Sequence, residues 1–511
     1  MRVLFYVPDN RITHSYMPTL WPYVLKSLTP PGHSVTTLDG NVVRMNPEEL
    51  ADYVRREKFD LVGIGGMTRT IHRSYAVADS IRALGVPVVM GGPHVTEEPE
   101  EALEHANAVA CGEADDLWPQ MLTDFEAGKL QPIYRSCEKP SLENYPRIPW
   151  EQTDFRQFKV LPKWASKVLR TFGWERFDVS ISPVETGRGC PYRCDFCTVS
   201  PFFGEKIRFR TNESVVEELK LLKSLGRNLV FFVDDNFAIN PRRAKSLMRA
   251  MIEANVRIFW VAQISMNLLR DQELLDLLKE SGCVCVFIGL ESVLPESLKE
   301  VSKTFNKPEE YGQIIGQLQR RGVYCVTAFI MGIDPDRPGV ARKTWDVVQN
   351  WPPGFFPVFS QLTPLPGTPL YKSLHDQGRL EERHWLNYRP YGAAFTPKHM
   401  TPAELENEIR TAWGMAYSPA GIFRRVSRMR DMRFVSKLIY VFATLAFRGI
   451  YFRQMTPRAW LRLIWQNRRS VREVFSLRSF TNHEIAPIAE ISSPRMPDAS
   501  PSVMPGLASE N

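Results

Sequence analysis

Short apolar strands alternate with helical stretches twice along this chain, and that alternation limits its fold more than any other feature. In residues 1–130, the runs 2–8, 34–39, 61–65, 86–90 and 108–111 read as β-branched or apolar strands. Between them, 47–58 and 71–84 carry apolar residues at helical spacing. Strands joined through helices pair in parallel, because a parallel connection must cross over the sheet face. The pattern predicts an α/β protein with a doubly wound parallel sheet in this part. Ligands of such sheets bind beyond the C-terminal strand ends. Those ends carry Gly65-Gly66, Gly91-Gly92-Pro93-His94 and Gly112-Glu113, where glycine would let the backbone approach a bulky ligand closely.

A second series follows, with strands expected at 184–187, 229–233, 258–264, 284–289, 324–331 and 357–362 and helices at 214–225, 241–254, 272–281 and 308–321. The two series are separated by residues 131–180, rich in proline and aromatic residues (Tyr145-Pro-Arg-Ile-Pro-Trp150, Leu161-Pro-Lys-Trp164) and without sustained periodicity. This reads as a linker running over the surface. The expected divisions are therefore 1–130, the linker 131–180, a second α/β domain over 181–375, a helical, basic C-terminal region over 376–482, and a Pro- and Ser-rich disordered tail over 483–511.

At the start of the second series stands Glu185-Thr-Gly-Arg-Gly-Cys-Pro-Tyr-Arg-Cys-Asp-Phe-Cys197. Its C-x3-C-x2-C spacing brings Cys190, Cys194 and Cys197 together on one tight loop. Three thiolates hold a cubic iron–sulfur cluster by three irons and leave the fourth open to a ligand, unlike the four-thiolate electron-transfer clusters. A structural zinc loop would want a fourth Cys or His, usually in C-x2-C pairs. No other Cys or His lies within fifty residues on either side.

These cysteines, with Phe196 and Gly187-Arg-Gly189, resemble the signature loop of the radical S-adenosylmethionine (SAM) enzymes. The resemblance implies a partial (βα)6 TIM-type barrel and a 4Fe-4S cluster with Cys190, Cys194 and Cys197 as metal ligands. SAM would be chelated at the open iron and cleaved by one electron to a 5′-deoxyadenosyl radical. An α/β domain with these glycines in front of such a barrel is similar to the cobalamin-binding domain of the B12-dependent members, where Gly-Gly-Pro-His and Gly-Glu-Ala recur at the strand ends. That makes residues 1–130 a Rossmann-like cobalamin-binding domain, with Gly65, Gly66, Gly91, Gly92, Gly112 and Glu113 as cofactor-binding candidates. The Asp-x-His-x-x-Gly motif, whose His replaces the lower base on cobalt in other B12 proteins, is absent. Cobalamin should then bind base-off with no protein His on cobalt, and His14, His72 and His94 are expected at the surface or in turns.

Barrel enzymes place their chemistry at the C-terminal strand ends, and polar residues gather there. Asp234-Asp-Asn236 closes the second strand, where the family contacts the SAM amino group, often through Gly-Gly-Glu. Asp234 and Asp235 would have to serve here; the alternative is helix capping before Pro241. Gln263 is a further candidate for a polar contact to SAM. Ile288-Gly-Leu-Glu-Ser292 resembles the ribose-contacting segment, and a carboxylate can accept both ribose hydroxyls, so Glu291, supported by Ser292, is the ribose candidate. Phe329-Ile-Met-Gly-Ile333 falls where the family packs adenine, and Leu362-Thr-Pro-Leu-Pro-Gly-Thr-Pro369 resembles its sixth strand-end loop. No residue is singled out as catalytic. Cys111, Cys137, Cys283, Cys285 and Cys325 read as small apolar fillers.

The resemblance implies hydrogen abstraction from an unactivated carbon followed by methylation, with cyclisation, carbon–carbon coupling or oxidation by the same cofactors left open. A small electron donor such as flavodoxin or ferredoxin would be the partner. The C-terminal region resembles the helical extension of the hopanoid methylase-type members. Residues 421–480 hold fourteen Arg or Lys against Asp431 and Glu473, a balance of +12 in a chain of +7. The uncharged run 438–447 is too short to span a bilayer. With Trp460, Trp465 and neighbouring arginines it suits either a helix lying on an anionic membrane surface or helices packed on the barrel. The first of these favours a lipid or hopanoid-type substrate. A tRNA-modifying or other nucleic-acid-binding protein is the remaining class, but such tRNA enzymes carry a second cysteine cluster where this chain has only Cys111. Eight cysteines are too few for a disulfide scaffold, and residues 1–7 run straight into a strand without a signal-peptide pattern. A cytoplasmic protein, peripheral at most to the inner membrane face, is expected.

Overall fold

The computed structural model describes residues 1–10, 15–136, 138–158, 171, 180–381, 385–388, 391–429, 434–451 and 465. The chain divides into two compact units, Met1–Ala416 and Tyr417–Asn511.

In the first unit, β1 (Arg2–Val7), β2 (Ser34–Asp39), β3 (Leu61–Gly65), β4 (Val88–Gly91), β5 (Ala108–Cys111) and β6 (Ile133–Arg135) form one sheet in the order β2-β1-β3-β4-β5-β6. Every neighbouring pair is parallel. The strand order reverses between β1 and β3, which opens a crevice at their C-terminal ends. Successive side chains point to opposite faces. Leu4, Tyr6, Val62, Ile64, Val88 and Met90 enter one core. Val3, Phe5, Leu61 and Val89 enter the other, with Leu117, Trp118 and Met121 of the helix Leu117–Glu126. Two features depart from the sequence reading. Strand β6 lies inside the predicted linker, and its three residues are too few to show a period. Trp385, Tyr388 and Ala394, predicted to open the C-terminal helical region, belong to the core of this first sheet.

The second sheet is the barrel. Its strands are β7 (Ile181–Val184), β10 (Leu229–Phe232), β11 (Phe259–Gln263), β12 (Cys283–Glu291), β13 (Tyr324–Met331) and β14 (Phe355–Gln361). They run in the order β14-β13-β12-β11-β10-β7, all parallel. The first strand was predicted three residues later, at 184–187. Instead Gly187–Arg188 (β8) turn away and pair antiparallel with Arg208–Phe209 (β9). Helices return between strands, and local caps start them. Thr211, Asn240, Asp271 and Thr368 each accept a backbone N–H of the following first turn, satisfying donors the helix cannot. Asn240, not Asp234 or Asp235, caps the helix Pro241–Glu253. On one face of the barrel sheet Phe232 and Trp260 are fully buried and pack with Phe237. The other face, turned to the barrel lumen, carries half-buried Phe231, Val261, Phe287, Ala328, Ile330 and Val358, with the polar Gln263 and Ser360.

The second unit is described as two helices, Pro419–Ser427 and Phe434–Tyr451. Arg425 Nε donates to the Tyr440 hydroxyl at 3.0 Å, and Tyr440 and Thr444 are fully buried, so part of the uncharged run 438–447 is engaged within protein. No helix among the described residues is long and apolar enough to cross a membrane. The stretch Leu161–Trp164, His14, Cys137, the basic residues beyond 451 and the tail 483–511 lie outside the described residues.

Candidate active site

The cluster loop is built on the β8–β9 ribbon. A Cβ on Gly187 would stand 2.6 Å from the Phe209 ring, and one on Gly189 would stand 2.6 Å from the Lys206 carbonyl at a φ of +97°. Only glycine lets the ribbon close. Within the loop, Cys190 N donates to Gly204 O at 3.1 Å and Cys197 N to Cys194 O at 3.0 Å. Ser200 Oγ donates to the carbonyls of Cys190 and Tyr192. Three other segments hold it from outside. Asn267 Nδ2 donates to the Tyr192 hydroxyl at 2.8 Å, and the Tyr192 ring stacks on Phe305 at 4.3 Å. Leu370 N, from the loop after β14, donates to Asp195 O at 2.9 Å.

All three loop cysteines are free thiols, Cys190 buried and the others half-buried. Burial pushes their pKa values up, to about 11 for Cys194 and about 12 for Cys197. Thiolates here need cations brought in with them, which is what cluster iron provides. Among the described residues no three ligand side chains converge on a single-ion site; a cubane does not ask for that, because each thiolate sits on its own iron. The loop fits a 4Fe-4S cluster.

The residues predicted around SAM separate into two kinds. Asp234 is fully buried and turned inward, its two oxygens accepting from Thr186 N at 2.6 Å and Thr186 Oγ1 at 2.5 Å. It ties β10 to the end of β7, and both oxygens of the predicted SAM contact are engaged there. Burial still raises its pKa to about 6. Asp235 is half-buried and near enough to the cluster loop for its charge to raise the Cys190 and Cys197 thiols. Burial, then the neighbouring charges of Asp234 and Glu185, raise it to about 7. Gln263 is half-buried on the lumen side of β11. Ser292 is buried in a turn, its Oγ accepting from Leu294 N at 3.1 Å, a local role in place of the predicted ribose support.

Glu291 ends β12 at a φ of +62°, a conformation that bulky residues adopt only when their surroundings enforce it. It forms a buried ion pair with Lys303. Gly289 makes room for that pair, since a Cβ there would collide with the Glu291 carboxylate and stand 2.9 Å from Lys303 Nζ. Burial works against the Lys303 charge, but the charge and hydrogen bond of Glu291 outweigh it and hold its pKa above the ordinary value. Lys303 is the charged partner at this site that sequence reasoning missed. It follows Glu291 by twelve positions in an irregular stretch, and no spacing marks it.

The predicted cobalamin residues meet at one cavity of about 600 Å³. Gly65, Gly66, Gly91, Gly92, Gly112 and Glu113 all line it, and Glu185, Arg188, Phe202 and Phe203 close it from the cluster side. The reason for the glycines differs from the one predicted. A Cβ on Gly65 would stand 3.1 Å from the Trp21 indole, one on Gly66 2.5 Å from Val95, and one on Gly92 2.8 Å from the Gly66 carbonyl. These glycines admit other parts of the protein. Gly112, with φ +94° and no atom within 4 Å of its Cβ position, is the one that faces open space. Phe5, Val89, Ala110, Trp118 and Met121 also line the cavity, with Gly63, an apolar wall that suits the apolar part of a large cofactor. Among the described residues no histidine lines it.

One further prediction needs correction. His94 is not at the surface: it is 1% exposed, with Nδ1 3.1 Å from Thr68 Oγ1, Nε2 3.5 Å from Glu101 and Trp385 edge-on to its ring. Both nitrogens are occupied away from the cavity. Glu113, predicted to bind the cofactor, lines the cavity and is held there by two arginines, Arg188 and Arg208.

The comparisons with known proteins agree with this arrangement. The Radical SAM superfamily model matches residues 184–337 and the B12 binding domain model matches residues 13–122. The chain is 30% identical to the bacteriochlorophyllide d C-12(1)-methyltransferase of Chlorobaculum tepidum, over 77% of this chain and 81% of that one. It is 27% identical to the bacteriochlorophyllide d C-8(2)-methyltransferase of the same organism, over 83% and 90%. The hopanoid C-2 methylase of Rhodopseudomonas palustris is 24% identical over 72% of this chain and 66% of its own. In fold the chain resembles the radical SAM methyltransferase TsrM of Kitasatospora setae, solved with cobalamin and a 4Fe-4S cluster bound, with a TM-score of 0.57 at 20% identity over 80% of this chain and 84% of that one. With a cobalamin domain, a radical SAM barrel and relatives aligned across both, the chain belongs to the cobalamin-dependent radical SAM methyltransferases, enzymes whose cofactors are a 4Fe-4S cluster, SAM and cobalamin.

Proposed function

We propose that this enzyme methylates an unactivated carbon on the rim of a tetrapyrrole. The observation that carries the reading is the alignment, across most of both chains, with two methyltransferases named for bacteriochlorophyllide d. When bound, the cluster supplies the electron that splits SAM into methionine and a hydrogen-abstracting 5′-deoxyadenosyl radical, and cobalamin supplies the methyl group. The chain's own residues do the rest. Cys190, Cys194 and Cys197 ligate the iron, while Lys303 offsets their negative charge and keeps Glu291 in place beside them. Asp235 lies near the same loop and is a candidate for the SAM amino group; Gln263 and Glu291 remain candidates for its other polar groups. The largely apolar lumen around Phe231, Phe287 and Ile330 excludes water from the reacting carbon.

A planar, largely apolar ring system suits that lumen. The lipid reading rested on the basic aromatic tail, most of which lies outside the described residues, and the hopanoid methylase is a more distant relative than the two bacteriochlorophyllide enzymes. A flavodoxin or ferredoxin would deliver the electron. Reconstituted enzyme, given SAM and a reductant without oxygen, should convert a bacteriochlorophyllide to a product one CH2 heavier and release 5′-deoxyadenosine. Methylation of a hopanoid under the same conditions, with the chlorin untouched, would reject the proposal.

A further inference from the structure

Paired residues on an antiparallel ribbon project to the same side. Arg188 and Arg208 are such a pair, and both are almost completely buried, at 7% and 10% side-chain exposure. Two guanidinium groups side by side in the interior would push the ribbon open unless an anion stood between them. That anion comes from the other domain. Glu113, 1% exposed at the end of β5, receives Arg208 Nη2 on Oε1 at 2.7 Å. Its Oε2 receives Arg188 Nη1 at 2.7 Å and Arg208 Nη1 at 3.0 Å. Asp115 Oδ2 adds a contact to Arg188 Nη1 at 2.9 Å, and Glu185 takes Nε and Nη2 of Arg188. Arg208 also donates to Phe203 O at 2.9 Å, so the bridge continues into the helix that follows the cysteines.

The bridge joins the two cofactor domains at one point. Glu113 follows Gly112, the glycine that opens onto the cavity, and Arg188 stands two residues before Cys190. We propose that Glu113 is a positioning residue: its carboxylate closes the β8–β9 ribbon and thereby sets the distance between the cobalamin cavity and the cluster loop. The cysteine loop would hold the cluster and the first domain the cobalamin, so a fixed separation would decide whether the chemistry of the two reaches one carbon. This inference rests on the cofactors and not on the substrate, and its failure would leave the tetrapyrrole reading untouched.

The test is Glu113→Gln in the holoprotein, a change that keeps size and removes charge. Hydrogen–deuterium exchange should be about tenfold faster across residues 186–210. The dipolar coupling between cob(II)alamin and the reduced cluster, read by pulsed electron paramagnetic resonance, should broaden from one distance to a spread, with iron and cobalamin contents unchanged. A lower melting temperature with ribbon exchange and dipolar distance unaltered would overturn the proposal, because the role would then be structural only. Loss of cobalamin with ribbon exchange unaltered would overturn it too, making Glu113 a cofactor ligand. Should Glu113→Gln not fold, Arg208→Lys carries the same test: it keeps the charge but loses the two-pronged contact, and an unchanged ribbon in that variant rejects the proposal.

Discussion

Lys303 shows how much one side chain contributes when its partners are buried. Without its charge, Glu291 would be left unpaired in the interior, and losing one member of a buried pair costs more than losing both. Lys303→Met should lower the unfolding free energy of the cluster-free protein by about 3–5 kcal/mol, measured by denaturant titration. The double variant Lys303→Met with Glu291→Gln should recover most of that loss; no recovery would mean that the pair is not coupled. Asp336 offers a test by pH. It accepts from Ser297 Oγ and from the amides of Gly332 and Ile333, yet burial raises its pKa to about 6. The folded protein therefore holds this proton more tightly than the unfolded chain. The resulting stability is complete below the unfolded value, near 4, and is lost as the pH rises through 6. Relative to Asp336→Asn, the wild type should be more stable at pH 5 than at pH 7.5 by about 1–2 kcal/mol. A pH-independent difference would contradict the raised pKa.

Elements were legible in the sequence where their signals are local. The five predicted strands of the first sheet are present. The short pieces were not legible. Strand β6 has three residues, and β8 and β9 have two each, so their existence depends on a partner strand. The first barrel strand was misplaced for the same reason: an extended run around 184–187 is continuous in sequence, but the ribbon draws its end away from the barrel. One helix start is also capped from a distance. Glu408, on the helix Pro402–Tyr417, accepts from Gly339 N at 2.9 Å and Ala341 N at 2.8 Å, at the first turn of Val340–Val348. These are charge-assisted bonds at a helix N-terminus. Glu408→Ala should destabilise the protein by about 2–3 kcal/mol and Glu408→Gln by about half as much, both read from chemical denaturation. Equal losses would mean that the carboxylate charge contributes nothing.

At the scale of the molecule, the first sheet is completed by residues that follow the barrel. Trp385 is 2% exposed in its core, donates from Nε1 to Glu101 at 3.0 Å and packs against His94. Trp385→Ala should cost about 3–5 kcal/mol, and limited proteolysis should cut the segment 380–396 well before the barrel. Resistance there would mean that the strap is held by other contacts. The sequence by itself determined what neighbouring residues decide: two βα series, a three-cysteine loop with the spacing of a cluster and glycines at the strand ends. It located the glycines correctly but not their purpose, because Gly65, Gly66 and Gly92 answer to Trp21, Val95 and a carbonyl that reach them through the fold. Only the tertiary structure decided which charges meet. Glu113 finds Arg188 and Arg208, Glu291 finds Lys303, and Asp234 finds Thr186. A charged side chain pairs with whatever the returning chain brings within about 3 Å of it, and spacing along the sequence carries no record of that distance.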